Sequence, residues 1–179
     1  AYMVKRVGAY PFSVYGSLFS DAKFPFALED QTLSLFPSVF ELPPSTPRDY
    51  EPIMLHELSH QWFGDSVMPR RWSDVWLNEG HADFYGLLYR YERGWTDSLG
   101  LTTMEARMKT TYARGDQWRR TSGPVAAPNA ANLFDSQRYL GGVLVLYALR
   151  QLIGEDAFHA VERAFLARFG PPPSGAGQA

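Results

Sequence analysis

His56, Glu57 and His60 stand in the order H-E-x-x-H, and after eighteen intervening residues comes Glu79, within Trp76-Leu77-Asn78-Glu79-Gly80. On a helix, positions i and i+4 share a face about one turn apart, so His56 and His60 can aim imidazole nitrogens at one ion. Glu57 lies beside that face, where a carboxylate reaches a metal-activated water as general base without ligating the metal. A tetrahedral catalytic zinc needs a third protein ligand and one open position, and Glu79 on a second helix can supply that ligand. One turn further on, Asp83 is spaced to accept the outer N–H of a metal-bound histidine. At average residue frequencies H-E-x-x-H arises by chance in a chain this long roughly once in a few hundred, and a glutamate at one fixed later position makes that about 15-fold rarer. Two histidines and a glutamate form a hydrolytic zinc set.

Two helices must carry these groups, and the flanking sequence supplies them. A Pro-rich loop is expected over 41–49, with Pro52 in the first turn of the helix bearing His56, where its missing N–H costs little. That helix is expected to close near Gly64. A second helix is expected from Leu77 to Arg93, its Phe84, Leu87, Leu88 and Tyr91 repeating at core spacing. Thr96 reads as the N-cap of a third helix ending at Arg114 before Gly115, followed by a long polar loop over 116–135. Asp135 or Ser136 then caps a fourth, largely buried helix, and a fifth runs from Asp156 to Phe169. Upstream, 10–20 and 28–36 are rich in aromatic and branched residues and read as two paired strands, preceded by the end of a helix at 1–8. The fold class expected is α+β and mostly helical, with a small N-terminal sheet followed by about five helices.

Bulk properties narrow the chemistry. At 45% hydrophobic and 15% aromatic over 179 residues, the chain can form one globular domain with a substantial core. A net charge of −2 with interspersed signs gives no basic field, so nucleic acid is not an expected partner. The absence of cysteine leaves only His and carboxylate to hold a metal. No stretch approaches the roughly 20 apolar residues of a membrane span. The chain opens on Ala1 rather than Met, which suggests a fragment or processed product. The expected domain is 1–169, with 170–179, GPPPSGAGQA, as a flexible tail.

With these motifs in view, the segment HELSHQWFGDSVMPRRWSDVWLNEGHADF resembles the aminopeptidase N family of thermolysin-like zinc peptidases. In that family the H-E-x-x-H helix continues into Gln-Trp-Phe-Gly and is followed at this separation by Trp-Leu-Asn-Glu-Gly. The resemblance implies a thermolysin-like catalytic domain, one zinc ion on His56, His60 and Glu79, and Glu57 as base. The family's Gly-Ala-Met-Glu-Asn edge strand is matched at Ala27 and Glu29 and departs at Phe26 and Asp30. It implies that Glu29, with Ala27 beside it, binds the substrate's free amino terminus. Tyr139-Leu140-Gly141-Gly142-Val143 is similar to the family's Tyr-x-Lys/Arg-Gly-Ala element, with Gly141 and Val143 departing. Tyr139 is thereby the implied donor to the oxyanion. Full-length members of the family add an N-terminal β domain and further C-terminal helices, which would be neighbours of this stretch.

The expected activity is zinc-dependent hydrolysis of the first peptide bond of peptides with a free N-terminus. Alternatives are a thermolysin-type endopeptidase, an epoxide-opening relative, or a truncated zinc-holding module without catalysis. His81 and His159 receive no role from the sequence. His81 points about 200° round its helix from Glu79, and no carboxylate partner for His159 is evident.

Overall fold

The computed structural model describes residues 1–22, 24–38 and 46–171. Two strands, β1 (Gly16–Ser20) and β2 (Leu33–Pro37), pair in parallel, Gly16 opposite Leu33. Among the described residues six α-helices accompany them: α1 (Tyr2–Val7), α2 (Pro47–His60), α3 (Trp76–Glu92), α4 (Met104–Ser122), α5 (Ser136–Ile153) and α6 (Glu155–Phe169). The mostly helical α+β class and the five helices after the sheet agree with the sequence reading. Both strands are shorter than expected. Leu28 makes a single antiparallel pair with Leu35, giving and receiving one backbone hydrogen bond at 2.9 and 2.8 Å. Segment 28–35 is therefore a small hairpin whose turn closes through Leu33 N–H to Asp30 O at 2.9 Å.

α2 begins five residues before Pro52. Pro47 takes the first helical position, and Asp49 accepts hydrogen bonds from the Thr46 backbone N–H (3.0 Å) and hydroxyl (2.6 Å). Pro52 thus lies inside the helix. Residues 41–45 of the expected Pro-rich loop, and 172–179 of the expected tail, lie outside the described residues. At its other end α2 stops at His60, short of Gly64, and the chain folds back with Asp65 N–H on His60 O at 2.9 Å.

The core lies where α3 is packed between α2 and α5. Phe84 and Tyr85 of α3 and Val143 of α5 are fully buried, with Leu55 of α2 and Phe158 of α6 around them. Gly80 and Gly142 let α3 and α5 meet backbone to backbone. A Cβ on Gly142 would stand 2.9 Å from Gly80 Cα and 3.0 Å from Trp76 O, closer than real side chains come. This contact brings Tyr139 of α5 alongside Glu79 of α3. Gly86 does the same towards α2, where an added Cβ would meet Pro52 O at 2.8 Å.

α5 is buried along one face only. Val145, Leu149 and Leu152 are exposed, Leu152 at 82%, contrary to the expectation of a largely buried helix. α4 starts after Thr103, not Thr96, and runs through Gly115 to Ser122, so the polar loop is shorter than expected. Asp97 explains the late start. Its carboxylate accepts from Leu99 N–H and Leu101 N–H, both at 2.9 Å, and holds 96–102 as a turn. Among the described residues no helix is long and apolar enough to cross a membrane.

Candidate metal centre

α2 and α3 bring His56, His60 and Glu79 to one point. The two Nε2 atoms are 3.2 Å apart, and each is 3.5 Å from Glu79 Oε2. Three donors bound to one tetrahedral zinc at ~2.0–2.2 Å form a face with edges of roughly 3.3–3.6 Å. The observed triangle fits such an ion.

Ring tautomers point the same way. His56 Nδ1 lies 2.8 Å from Asp83 Oδ1, and His60 Nδ1 lies 3.1 Å from Phe63 O. A carboxylate and a carbonyl only accept, so each Nδ1 carries the hydrogen and each Nε2 presents its lone pair to the shared point. Asp83 stands where spacing placed it. The Phe63 carbonyl has no sequence signature, since any residue could supply it.

Glu57 is adjacent, its carboxylate within 4.8 Å of the ligating atoms of His56 and His60. Burial pushes its carboxyl up to about 7, against the opposing pull of the two imidazoles. Glu79 is equally buried, but with the imidazoles protonated, as they are when no metal holds their Nε2 atoms, contacts with them outweigh burial and hold it down at about 2. Environments that separate two carboxylates in this way leave one able to take up a proton near neutral pH and the other ionised. A divalent cation adds positive charge beside both and draws Glu57 downward from that value.

A cleft of about 890 Å³ opens on the centre, lined by Ala27, Glu29, Glu79 and Tyr139 and walled by Phe26, Met68, Trp72 and Phe134. Glu29 reaches within 4.8 Å of the ligating atoms of His60 and Glu79. The Tyr139 ring lies parallel to His56, centroids 6.1 Å apart. Burial, and the carboxylates of Glu79 and Asp83, raise its hydroxyl well above the usual phenol range, so it stays a hydrogen-bond donor. All seven residues singled out in the sequence, together with Asp83, therefore gather around one cleft and the helices behind it.

The chain matches the model of the peptidase family M1 domain over residues 10–172. It belongs to peptidase family M1. Among curated relatives, this M1 chain is 32% identical over 173 residues to aminopeptidase N of Streptomyces lividans, covering 89% of the chain and 20% of that protein. It is 36% identical over 134 residues to aminopeptidase N of Haemonchus contortus, covering 65% of the chain and 12% of the relative. An M1 zinc metallopeptidase from Deinococcus radiodurans superposes with a TM-score of 0.76 at 31% identity, over 98% of this chain and 36% of the other. A variant of that enzyme was solved bound to a Tyr-Ser-Ala substrate. The chain thus spans a fifth or less of these curated relatives and about a third of the solved one. Zinc is the metal of the M1 site, and the donor triangle described above suits it.

Sequence reasoning missed several supports of the M1 centre. His81 stacks on Phe63, rings 4.0 Å apart and 6° from parallel, and its Nδ1 bonds Leu77 O at 2.5 Å. His159 does have carboxylate company. Its Nδ1 is 3.0 Å from Glu162 Oε2, which also accepts from the Tyr85 hydroxyl. Arg138, fully buried beside Tyr139, donates to Pro124 O and Ser122 O at 2.7 and 2.5 Å and ties the 122–124 loop to α5. Only the i, i+3 spacing of His159 and Glu162 was readable in advance.

Proposed function

We propose that residues 1–169 form the catalytic domain of an aminopeptidase that removes the first residue of peptides with a free N-terminus. The observation carrying this reading is that the Glu29 carboxylate shares one cleft with the His56, His60 and Glu79 donor triangle. An anion at that position can hold a substrate ammonium group and leave the first peptide bond over the centre.

His56, His60 and Glu79 would hold the ion. Zinc, when bound, supplies Lewis-acid chemistry, acidifying water and polarising a carbonyl. The remaining steps fall to side chains. Glu57 accepts a proton from the attacking water and returns it to the leaving amine, a task suited to a buried carboxylate beside the ligating atoms of His56 and His60. Tyr139 donates a hydrogen bond to the carbonyl oxygen as charge develops there. Glu29 fixes the ammonium, with Ala27 beside it on the cleft wall, and the apolar wall of Phe26, Trp72 and Phe134 receives side chains. Asp83 orients His56. The β domain and further helices expected from the family resemblance would be the neighbours that complete the cleft.

Glu57→Gln is the direct test. Hydrolysis of aminoacyl chromogenic amides by the zinc-loaded protein should fall by about 10²-fold or more with zinc content unchanged. N-acetylated amides should be poor substrates of the wild type. Undiminished turnover by the variant would sink the assignment of Glu57, and equal turnover of blocked amides would point to an endopeptidase instead.

A further inference from the structure

Gln61 follows the second histidine directly and is fully buried. Its side-chain amide has four neighbours from three separate stretches of chain. Oε1 lies 2.8 Å from Thr32 N and 3.0 Å from the Tyr10 hydroxyl. Nε2 lies 3.4 Å from Asp30 O and 2.6 Å from Asp65 Oδ2. The orientation of the amide follows from chemistry, because a backbone N–H can only donate and a carbonyl can only accept. All of its hydrogen-bonding capacity is spoken for.

Two of those partners, Asp30 O and Thr32 N–H, belong to the turn of the 28–35 hairpin, immediately after Glu29. Among the described residues, the hydrogen bonds from the 29–33 turn to α2 and its cap all run through this one amide. Thr32 is held at φ +68°, a left-handed conformation that a β-branched residue seldom adopts. Such a turn persists where its surroundings dictate it, and Gln61 provides both the acceptor and the donor that do so. Tyr10 packs edge-on against Trp62, ring centroids 5.4 Å apart, and Trp62 Nε1–H donates to Ala9 O at 2.8 Å. Gln61 and Trp62 together staple the segments on either side of β1 to the end of the helix that bears both histidines.

We propose that Gln61 is a positioning residue that fixes the distance between the metal centre and the Glu29 anchor, and thereby sets which bond of the peptide is cut. This rests on the aminopeptidase reading. Residues advance by at most about 3.5 Å along an extended peptide, so an ångström of drift in the hairpin is a sizeable fraction of one register step. Misplacement of that order lowers rates by about 10²-fold in well-aligned sites. The Gln61 side chain makes no hydrogen bond to the donor triangle or to the residues lining the cleft, and its link to the anchor runs through the hairpin.

The test compares two zinc-chelating inhibitors on the zinc-loaded full chain, leucine hydroxamate and its counterpart lacking the α-amino group. The inhibition constant of the des-amino compound divided by that of leucine hydroxamate reads the anchor alone and does not depend on how much of the sample is active. Gln61→Leu should lower that ratio by about tenfold or more while zinc stoichiometry stays at the wild-type level. Gln61→Glu keeps the acceptor for Thr32 N–H but loses the donors to Asp30 O and Asp65 Oδ2 and sets a second carboxylate against Asp65. It should lower the ratio as well, and it serves if the leucine variant fails to fold. A ratio unchanged in a folded variant, with only stability or active fraction reduced, would overturn the proposal and leave Gln61 a structural residue. A wild-type ratio near one, with no preference for the amine, would remove the aminopeptidase reading and this inference with it.

Discussion

His56 and His60 are each tied down at the nitrogen that faces away from the centre, but by groups of different strength. Asp83 is a carboxylate at 2.8 Å, whereas Phe63 offers a neutral carbonyl at 3.1 Å. A charged acceptor makes its imidazole more basic at the opposite nitrogen and fixes the ring plane. Asp83→Ala should therefore weaken zinc binding by about 10–100-fold, read by competition with a chromogenic chelator. Under the proposed function, turnover of aminoacyl amides at saturating zinc should fall less steeply, because Glu57 and Tyr139 remain. Wild-type zinc affinity in the variant would show that helix packing alone orients His56. The carbonyl of Phe63 has no such side-chain test. Its position is held by the His81 ring stacked on Phe63 and by the short bond from His81 to Leu77 O. This division also marks what was legible in the sequence. Side-chain partners at helical spacing, such as Asp83, could be read, whereas backbone partners and stacks between distant residues depend on how the helices cross.

At the level of elements, the sequence placed α2, α3, α5 and α6 and misplaced both ends of α2 and both ends of α4. Three of these misses have a local competitor. Pro52 looked like a first-turn proline, but Pro47 preceded by Thr46 and followed by Asp49 offers a better-capped start. Gly115 looked like a stop, but no atom lies within 4 Å of the position a Cβ would take, and an exposed helix absorbs a glycine for about 1 kcal/mol. Thr96 lost to Thr103 because Asp97 captures the following backbone. The Asp97 carboxylate, besides Leu99 and Leu101, accepts from the Tyr91 hydroxyl at 2.7 Å and Arg107 at 3.1 Å, joining the end of α3 to α4. Burial pushes this carboxyl up, but those donors outweigh it and hold it below the usual aspartate range. A depressed folded pKa contributes stability above the unfolded value of about 3.9, and that contribution is lost as pH falls below it towards the folded value. Asp97→Asn should thus be less stable than wild type at pH 7. The gap between them should close as pH falls through and below ~4, which thermal or urea melts at several pH values would reveal. A gap independent of pH would mean that charge at Asp97 plays no part in the joint.

For the molecule as a whole, the metal centre is also a cross-link. Its proposed ligands come from α2 and α3, and α3 in turn lies against α5 through the Gly80–Gly142 contact, so one ion held there would brace the helices that form the core. Without a metal the centre takes up protons in its place, since two imidazole Nε2 atoms face each other at 3.2 Å beside the buried Glu79 carboxylate. Burial lowers both imidazoles, but their carboxylate contacts outweigh it and raise them above their usual range. Zinc binds this folded arrangement and has far less to bind in the unfolded chain, so mass action ties stability to free zinc. At a free concentration a thousand times the dissociation constant, that linkage amounts to about 4 kcal/mol. For a chain of this size such a change corresponds to a fall in melting temperature of roughly 8–16 °C when the metal is stripped. The expected result is a lower Tm in the presence of a chelator, restored by adding zinc, with Glu79→Gln showing a smaller difference between the two conditions. Loss of zinc without any change in Tm would mean that helix packing holds the three ligands in place unaided. The exposed apolar side of α5, at Leu149 and Leu152, bears on how that experiment is arranged. Aggregation through this face on heating would blur the transition, so the melt should be followed at low protein concentration and checked for reversibility before the shift is assigned to the metal.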